Sequence, residues 1–169
     1  MAGPDDVAGI KEKLIAERAK LLESFANLPR ETMLHPFGEE GWSIKDLLAH
    51  LAMAESVNVK FAKMMLTKEL PLQLRELAAD YPDFPGEFGL DKFNAWMTER
   101  WRAKSIEQIV AALDQTRQDT LSWLDTLTHA QLERSGEHAV WGKLSVKGVF
   151  RILVLHDKTH RGDILKRKE

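Results

Sequence analysis

From Ser145 to Ile164 the apolar residues Val146, Val149, Phe150, Leu153 and Ile164 recur at helical spacing, and His156 and His160 fall on the same stripe. A stripe of this kind must face a core, so the fold has to place two imidazoles, neighbours on one helix face, against buried surface. Ser145 is a plausible N-cap for this helix, and the basic tail LKRKE suits its C-terminus.

Three further stretches carry the same period. Val7, Ile10, Leu14, Leu21, Phe25 and Leu28 mark a first amphipathic helix, capped by Asp5 or Asp6 and ended by Pro29. Ser43 and Asp46 form a capping-box signal for a second, whose stripe of Ile44, Leu47, Leu48, Leu51, Ala54, Phe61 and Met65 runs to a stop near Pro71. His50 lies roughly 60° from the centre of that stripe, at the edge of the buried face. The proline-rich segment 70–89 reads as a long connection, a candidate lid or wall. Beyond it, residues from Asp91 through Trp101 and from Ser105 through Leu127 make either one bent helix or two in succession. Thr128 to Lys143 is polar, with a one-turn helix at HAQLE and a loop at RSGEHAVWG. No alternating strand pattern appears, so the expected fold is an all-α bundle in a single domain, residues 1–169.

Composition narrows the chemistry. The chain has no cysteine, which excludes disulfides, thiolate metal sites and a cysteine nucleophile, so any metal must be held by nitrogen and oxygen. Its 24 basic and 26 acidic side chains are interspersed, giving a formal net charge of -2; we therefore expect no nucleic-acid partner and no membrane partner. Without an apolar leader or a long uncharged apolar run, the expected location is cytoplasmic.

Two imidazoles on a buried stripe need partners for their ring nitrogens, and spacing alone leaves two solutions open: a hydrogen-bonded polar core, or a shared metal ion. A metal would need a third ligand from another helix, for which His50 is the best candidate. His35, His129 and His138 fall in expected loops and read as exposed. Imidazole ligation admits Zn, Ni or Fe as the divalent ion, and Co equally. The pair also reads as H-D-x-x-H, but Asp157 points about 100° from His156 on a helix, which argues against a protease-like general base. Asp157, Asp163 and Glu55 read as surface or otherwise ordinary charges, and Asp46 as an acceptor able to orient the His50 ring. Trp96, Trp101 and Trp123 read as core or interface residues, and Trp42 and Trp141 as packing against helix starts.

The combination of EEGWSIKDLLAHLAMAE, Glu39 to Glu55, with LHDKTHRGDI, Leu155 to Ile164, resembles the DinB-like superfamily, which includes the N-terminal domain of mycothiol-dependent maleylpyruvate isomerases and the bacillithiol transferases. The resemblance covers nearly the whole chain; its specific parts are W-S-x-K-D-x-x-A-H-L and the final H-x-x-x-H, with the middle matched in outline through FNAWMTERW. It implies an up-down-down-up four-helix bundle with a long crossover connection. It also implies a metal site in which His50 matches the family's histidine on the second helix and His156 and His160 the pair on the last. The implied chemistry is transfer of a low-molecular-weight thiol, or of water, to an electrophilic small molecule, in a pocket shaped by the loops around His35, Phe84 to Phe88 and Trp141. The other class of explanation is a non-enzymatic, stress-related bundle, a homodimer through its tryptophan-rich central helix, with a structural or vestigial metal site. Shared fold does not by itself transfer activity.

Overall fold

The computed structural model describes residues 6–39, 41–68, 74–138 and 141–168. The four longest helices each begin where a side chain can satisfy free N–H groups. Helix α1, Val7–Phe25, is capped by Asp6, whose carboxylate accepts from the Gly9 N–H at 2.9 Å. It stops three residues short of Leu28, and Pro29 instead precedes a short helix α2, Arg30–Leu34, that periodicity did not reveal. Helix α3, Ile44–Thr67, opens with a complete capping box: the Ser43 hydroxyl accepts from the Asp46 N–H, and Asp46 accepts from the Ser43 N–H. The loop before it turns through Gly38 and Gly41, both at φ near +66°, which brings Phe37 into pairing with Trp42 and sets Trp42 at the helix start. The stop expected near Pro71 lies outside the described residues.

The middle of the chain resolves into two helices, α4 (Leu90–Arg102) and α5 (Ile106–Leu124), separated at a second capping box of Ser105 and Gln108. Ahead of α4, a 3₁₀ turn at Leu74–Asp80 and an aromatic cluster of Tyr81, Phe84, Phe88, Phe93 and Trp96 fold the connection onto α3 through Met53. Ion pairs Lys60–Asp80 and Arg100–Asp83 pin the same segment to α3 and α4. The one-turn helix at HAQLE is present as α6, His129–Glu133. The expected loop after it is instead an antiparallel hairpin, β1 (Ser135–His138) and β2 (Gly142–Ser145), with Ser135 opposite Ser145 and His138 opposite Gly142. Helix α7, Val146–Lys166, follows directly, capped by Ser145.

The bundle consists of α1, α3, α5 and α7, with α1 packed on α7, α3 on α5, and α3 on α7; the long connection between α3 and α5 is the crossover. Leu14, Leu21, Ile44, Leu48, Leu113, Val149 and Phe150 are fully buried along its axis. Between these apolar layers lies a quartet of ions, one from each helix: Arg18, Glu55, Arg117 and Asp157, all 2–5% exposed. Arg18 spans Glu55 at 2.7 Å and Asp157 at 3.0 and 3.1 Å, while Arg117 holds Glu55 at 2.8 and 3.0 Å and Asp157 at 3.0 Å. A further N–H of each guanidinium, on Nη1, donates to a backbone carbonyl, Arg18 to Leu113 and Arg117 to Leu14. The quartet is neutral in sum and hydrogen-bonded throughout, which is the condition for burying charge without a large penalty. Burial alone would raise the Glu55 pKa, but the Arg117 and Arg18 guanidiniums outweigh it and hold the carboxyl below its usual range. Two expectations fail here: Asp157 is not a surface charge, and Glu55 is not ordinary. Both face inward because cations on α1 and α5 meet them there.

Candidate metal centre

His50 on α3 and His156 and His160 on α7 converge where these two helices pack. The Nε2 atom of His156 lies 3.1 Å from Nε2 of His50 and 3.0 Å from Nε2 of His160. All three rings are half-buried, with centroids 4.7–5.4 Å apart. A ring nitrogen carries either one proton or one lone pair in its plane, so His156 Nε2 can complete a hydrogen bond with only one of its two neighbours. The other Nε2 is then left without a partner. A cation at the centre accepts all three lone pairs at once. Tetrahedral ligands at a zinc–nitrogen distance of about 2.0–2.1 Å stand roughly 3.3 Å apart, close to the separations found here. The donor set therefore fits a divalent ion.

The electrostatics prepare the rings for that role. Burial, and then the charge of His160, pushes the His50 pKa down to about 4. Burial followed by the His50 and His160 charges and that of Arg18 takes His156 down to about 3. Burial also lowers His160, against an opposing pull from Asp163. All three are thus neutral near pH 7, the state in which an imidazole binds a metal. Asp163 accepts a hydrogen bond from His160 Nδ1 at 3.0 Å, so Nδ1 carries the proton and Nε2 presents its lone pair to the centre. Asp163 is accordingly a hydrogen-bond partner of the trio and not a free surface charge, a contact its i+3 spacing from His160 permits.

Asp46 does not orient His50 as expected, because its Oδ2 is taken by the Ser43 N–H and hydroxyl at the capping box. The His50 Nδ1 is buried with no hydrogen-bond partner among the described residues, and its ring instead leans on Trp42, centroids 5.2 Å apart. His35 is exposed, and His129 lies at the start of α6, away from the trio. His138, expected to be exposed, is buried at 7% on β1, edge-on to Phe61, with Nδ1 accepting from the Trp141 N–H at 3.2 Å. The hairpin that buries it carries no apolar alternation, which is why its position was hidden.

His50 and His156 also line a cavity of about 350 Å³ between α3, α4, α7 and the hairpin. Of the loops expected to shape it, those carrying Phe88 and Trp141 do so, and His35 does not. Asn58, Asn94 and Thr159 line it as well and carried no expectation. For Asn58 and Thr159 a signal existed: they follow His50 by eight residues and His156 by three, on the same helix faces.

The shape of the whole chain matches known structures of low sequence identity. YfiT from Bacillus subtilis, a probable metal-dependent hydrolase with an unusual four-helix bundle topology, superposes with a TM-score of 0.69 at 17% identity, over 99% of this chain and 89% of YfiT. An uncharacterised protein from Clostridium difficile 630 matches at a TM-score of 0.73 and 16% identity, over 96% of this chain and 95% of that one. The colibactin self-resistance protein ClbS, whose structure holds double-stranded DNA, matches at 0.72 and 10% identity, over 99% and 98% of the two chains. That complex overturns the expectation of no nucleic-acid partner drawn from net charge: a whole-chain sum is blind to where cations sit, and a protein of this shape does take DNA. No helix among the described residues is long and apolar enough to cross a membrane. No functionally curated protein matches the sequence significantly. The family model of the DinB superfamily matches residues 13–164, nine-tenths of the sequence and all three convergent histidines, and the chain belongs to that superfamily.

Proposed function

We propose that this chain is a metal-dependent enzyme that delivers a nucleophile, water or a low-molecular-weight thiol, to an electrophilic small molecule, with a divalent ion held by His50, His156 and His160. The observation that carries the reading is the meeting of three neutral Nε2 atoms at the edge of a cavity large enough for a small molecule. An ion bound there supplies Lewis acidity, lowering the pKa of a coordinated water or thiol toward neutrality and polarising an electrophile. Three protein ligands leave positions open for reactants, as catalytic sites do and closed four-ligand sites do not. The imidazoles contribute no negative charge, so the ion's full charge acts on what it binds. Asp163 fixes the His160 tautomer, and the ion quartet beneath holds α3 and α7 in register. Zn, Ni and Fe all suit these ligands.

The test is elemental analysis of protein purified without an affinity tag and dialysed. The native chain should carry close to one divalent ion, and His160→Ala almost none, while its helical circular dichroism is retained. A His160→Ala protein with an undiminished ion content would overturn the ligand assignment.

A further inference from the structure

The cavity beside the trio has a chemical character of its own, and we infer from it that its occupant is an uncharged, ring-bearing small molecule whose polar group is neutral, of the carboxamide kind. This rests on the trio being the reactive centre. Among the described residues, no Asp, Glu, Lys or Arg lines the cavity. The walls are apolar, from Met53, Val57, Phe88, Phe93 and Ile152, and the polar side chains besides His50 and His156 are all uncharged at neutral pH: Asn58, Asn94, Thr159 and His138. Two of the charges next in sequence to lining residues are committed elsewhere: Glu55, beside Ala54, and Asp157, beside His156, belong to the quartet.

Two more observations point the same way. Five large hydrophobic residues are left exposed among those described, and two of them, Trp141 at 53% and Leu155 at 56%, line this cavity together. Apolar surface held open to solvent at the edge of a pocket marks a place where a ligand or partner covers it, and Trp141 offers a ring face for stacking. Asn58, in turn, commits one amide N–H to the Ala54 carbonyl at 2.8 Å, which orients the side chain and leaves Oδ1 to accept from a ligand N–H. Away from the trio, a carboxylate entering such a wall would lose its water and meet no cationic side chain, a cost that an amide of the same shape escapes.

The experiment uses a nearly isosteric pair, 2-naphthamide and 2-naphthoate, titrated calorimetrically at pH 8 into the full chain after chelator dialysis, so that no ion can capture the carboxylate. The amide should bind at least about tenfold more tightly than the acid. Trp141→Ala should weaken the amide. Leu155→Arg, made at an exposed position, should close or reverse the gap by supplying the missing cation. Equal or tighter binding of 2-naphthoate, no binding of 2-naphthamide, or a gap unchanged in Leu155→Arg would each overturn the inference. Ion content measured on the same preparation separates the two claims. A chain that prefers the amide but takes up no ion refutes only the metal reading, and one that takes up its ion but shows no preference refutes only this one.

Discussion

Replacing Arg117 with methionine tests whether the buried quartet acts as one balanced unit. Arg117 makes three contacts to Glu55 and Asp157 at 2.8–3.0 Å and one to the Leu14 carbonyl. Its loss leaves two carboxylates sharing Arg18, a net charge of about -1 in a region 2–5% exposed. Breaking a buried pair on one side costs about 3–5 kcal/mol, a large part of the roughly 5–15 kcal/mol that holds a domain folded. The double variant Arg117→Met with Glu55→Leu removes one cation and one anion together and keeps the two-pronged contact of Arg18 to Asp157. It should recover to within about 1–2 kcal/mol of the native chain, the residue of the loss being the Arg117 hydrogen bond to the Leu14 carbonyl. Urea unfolding followed at 222 nm at pH 7.5 gives all three free energies. The deficit of Arg117→Met alone, measured against the native chain, should narrow at pH 5. There Glu55, no longer held low by Arg117, takes up a proton and removes the excess charge. A single variant that loses less than about 1 kcal/mol, or a double variant as unstable as the sum of its parts, would refute the balance argument.

Two further outcomes follow from the trio. Asp163→Asn should weaken metal affinity about 10–100-fold, measured by competition with a chromophoric chelator, because the His160 Nδ1 proton loses its charged acceptor. The metal-free protein should lose stability as pH falls from about 6.5 toward 4: the folded rings at about 4 and about 3 stay neutral while the unfolded chain protonates, so the unfolded state binds more protons across that window, at up to about 1.4 kcal/mol per pH unit for each ring. Melting temperatures that are flat over that range would contradict it.

How far the sequence discloses this molecule depends on which physical signal each part leaves. Helix starts are local events, and Ser43 with Asp46, Ser105 with Gln108 and Ser145 all cap where their residue types place them. The trio is legible because two histidines on an apolar stripe demand partners. The quartet leaves a signal of the same kind: Arg18 stands between Leu14 and Leu21, and Arg117 between Leu113 and Leu124, each in step with the helical period, as Asp157 is between Leu153 and Ile164. Reading charge as exposure hides it, because a buried ion is tolerable only with partners, and those lie 37 to 139 residues away. The hairpin is hidden for a different reason. SGEH and GKLS are too short and too polar to show alternation, and their pairing is set by the turn into Gly142, at φ +67°, and by where α7 begins.

Seven polar side chains on buried helix faces make little sense as an economy of hydrophobic burial, yet they make sense as a way of fixing register. Apolar faces tolerate small slides of one helix along another, whereas a directional network loses its bonds when displaced by an ångström. The two clusters share their helices. His156 and Asp157 are adjacent on α7, so their side chains diverge by about 100°, one toward the cavity beside α3 and the other toward the arginines of α1 and α5. On α3, Ala54 lines the cavity one turn beyond His50, while its neighbour Glu55 closes the quartet. Each helix that carries a histidine of the trio is therefore clamped, within five residues of that histidine, by a group bonded to both arginines. Three convergent imidazoles tolerate little error in the distance between their helices, and the quartet sets that distance from the faces of α3 and α7 that meet the arginines of α1 and α5.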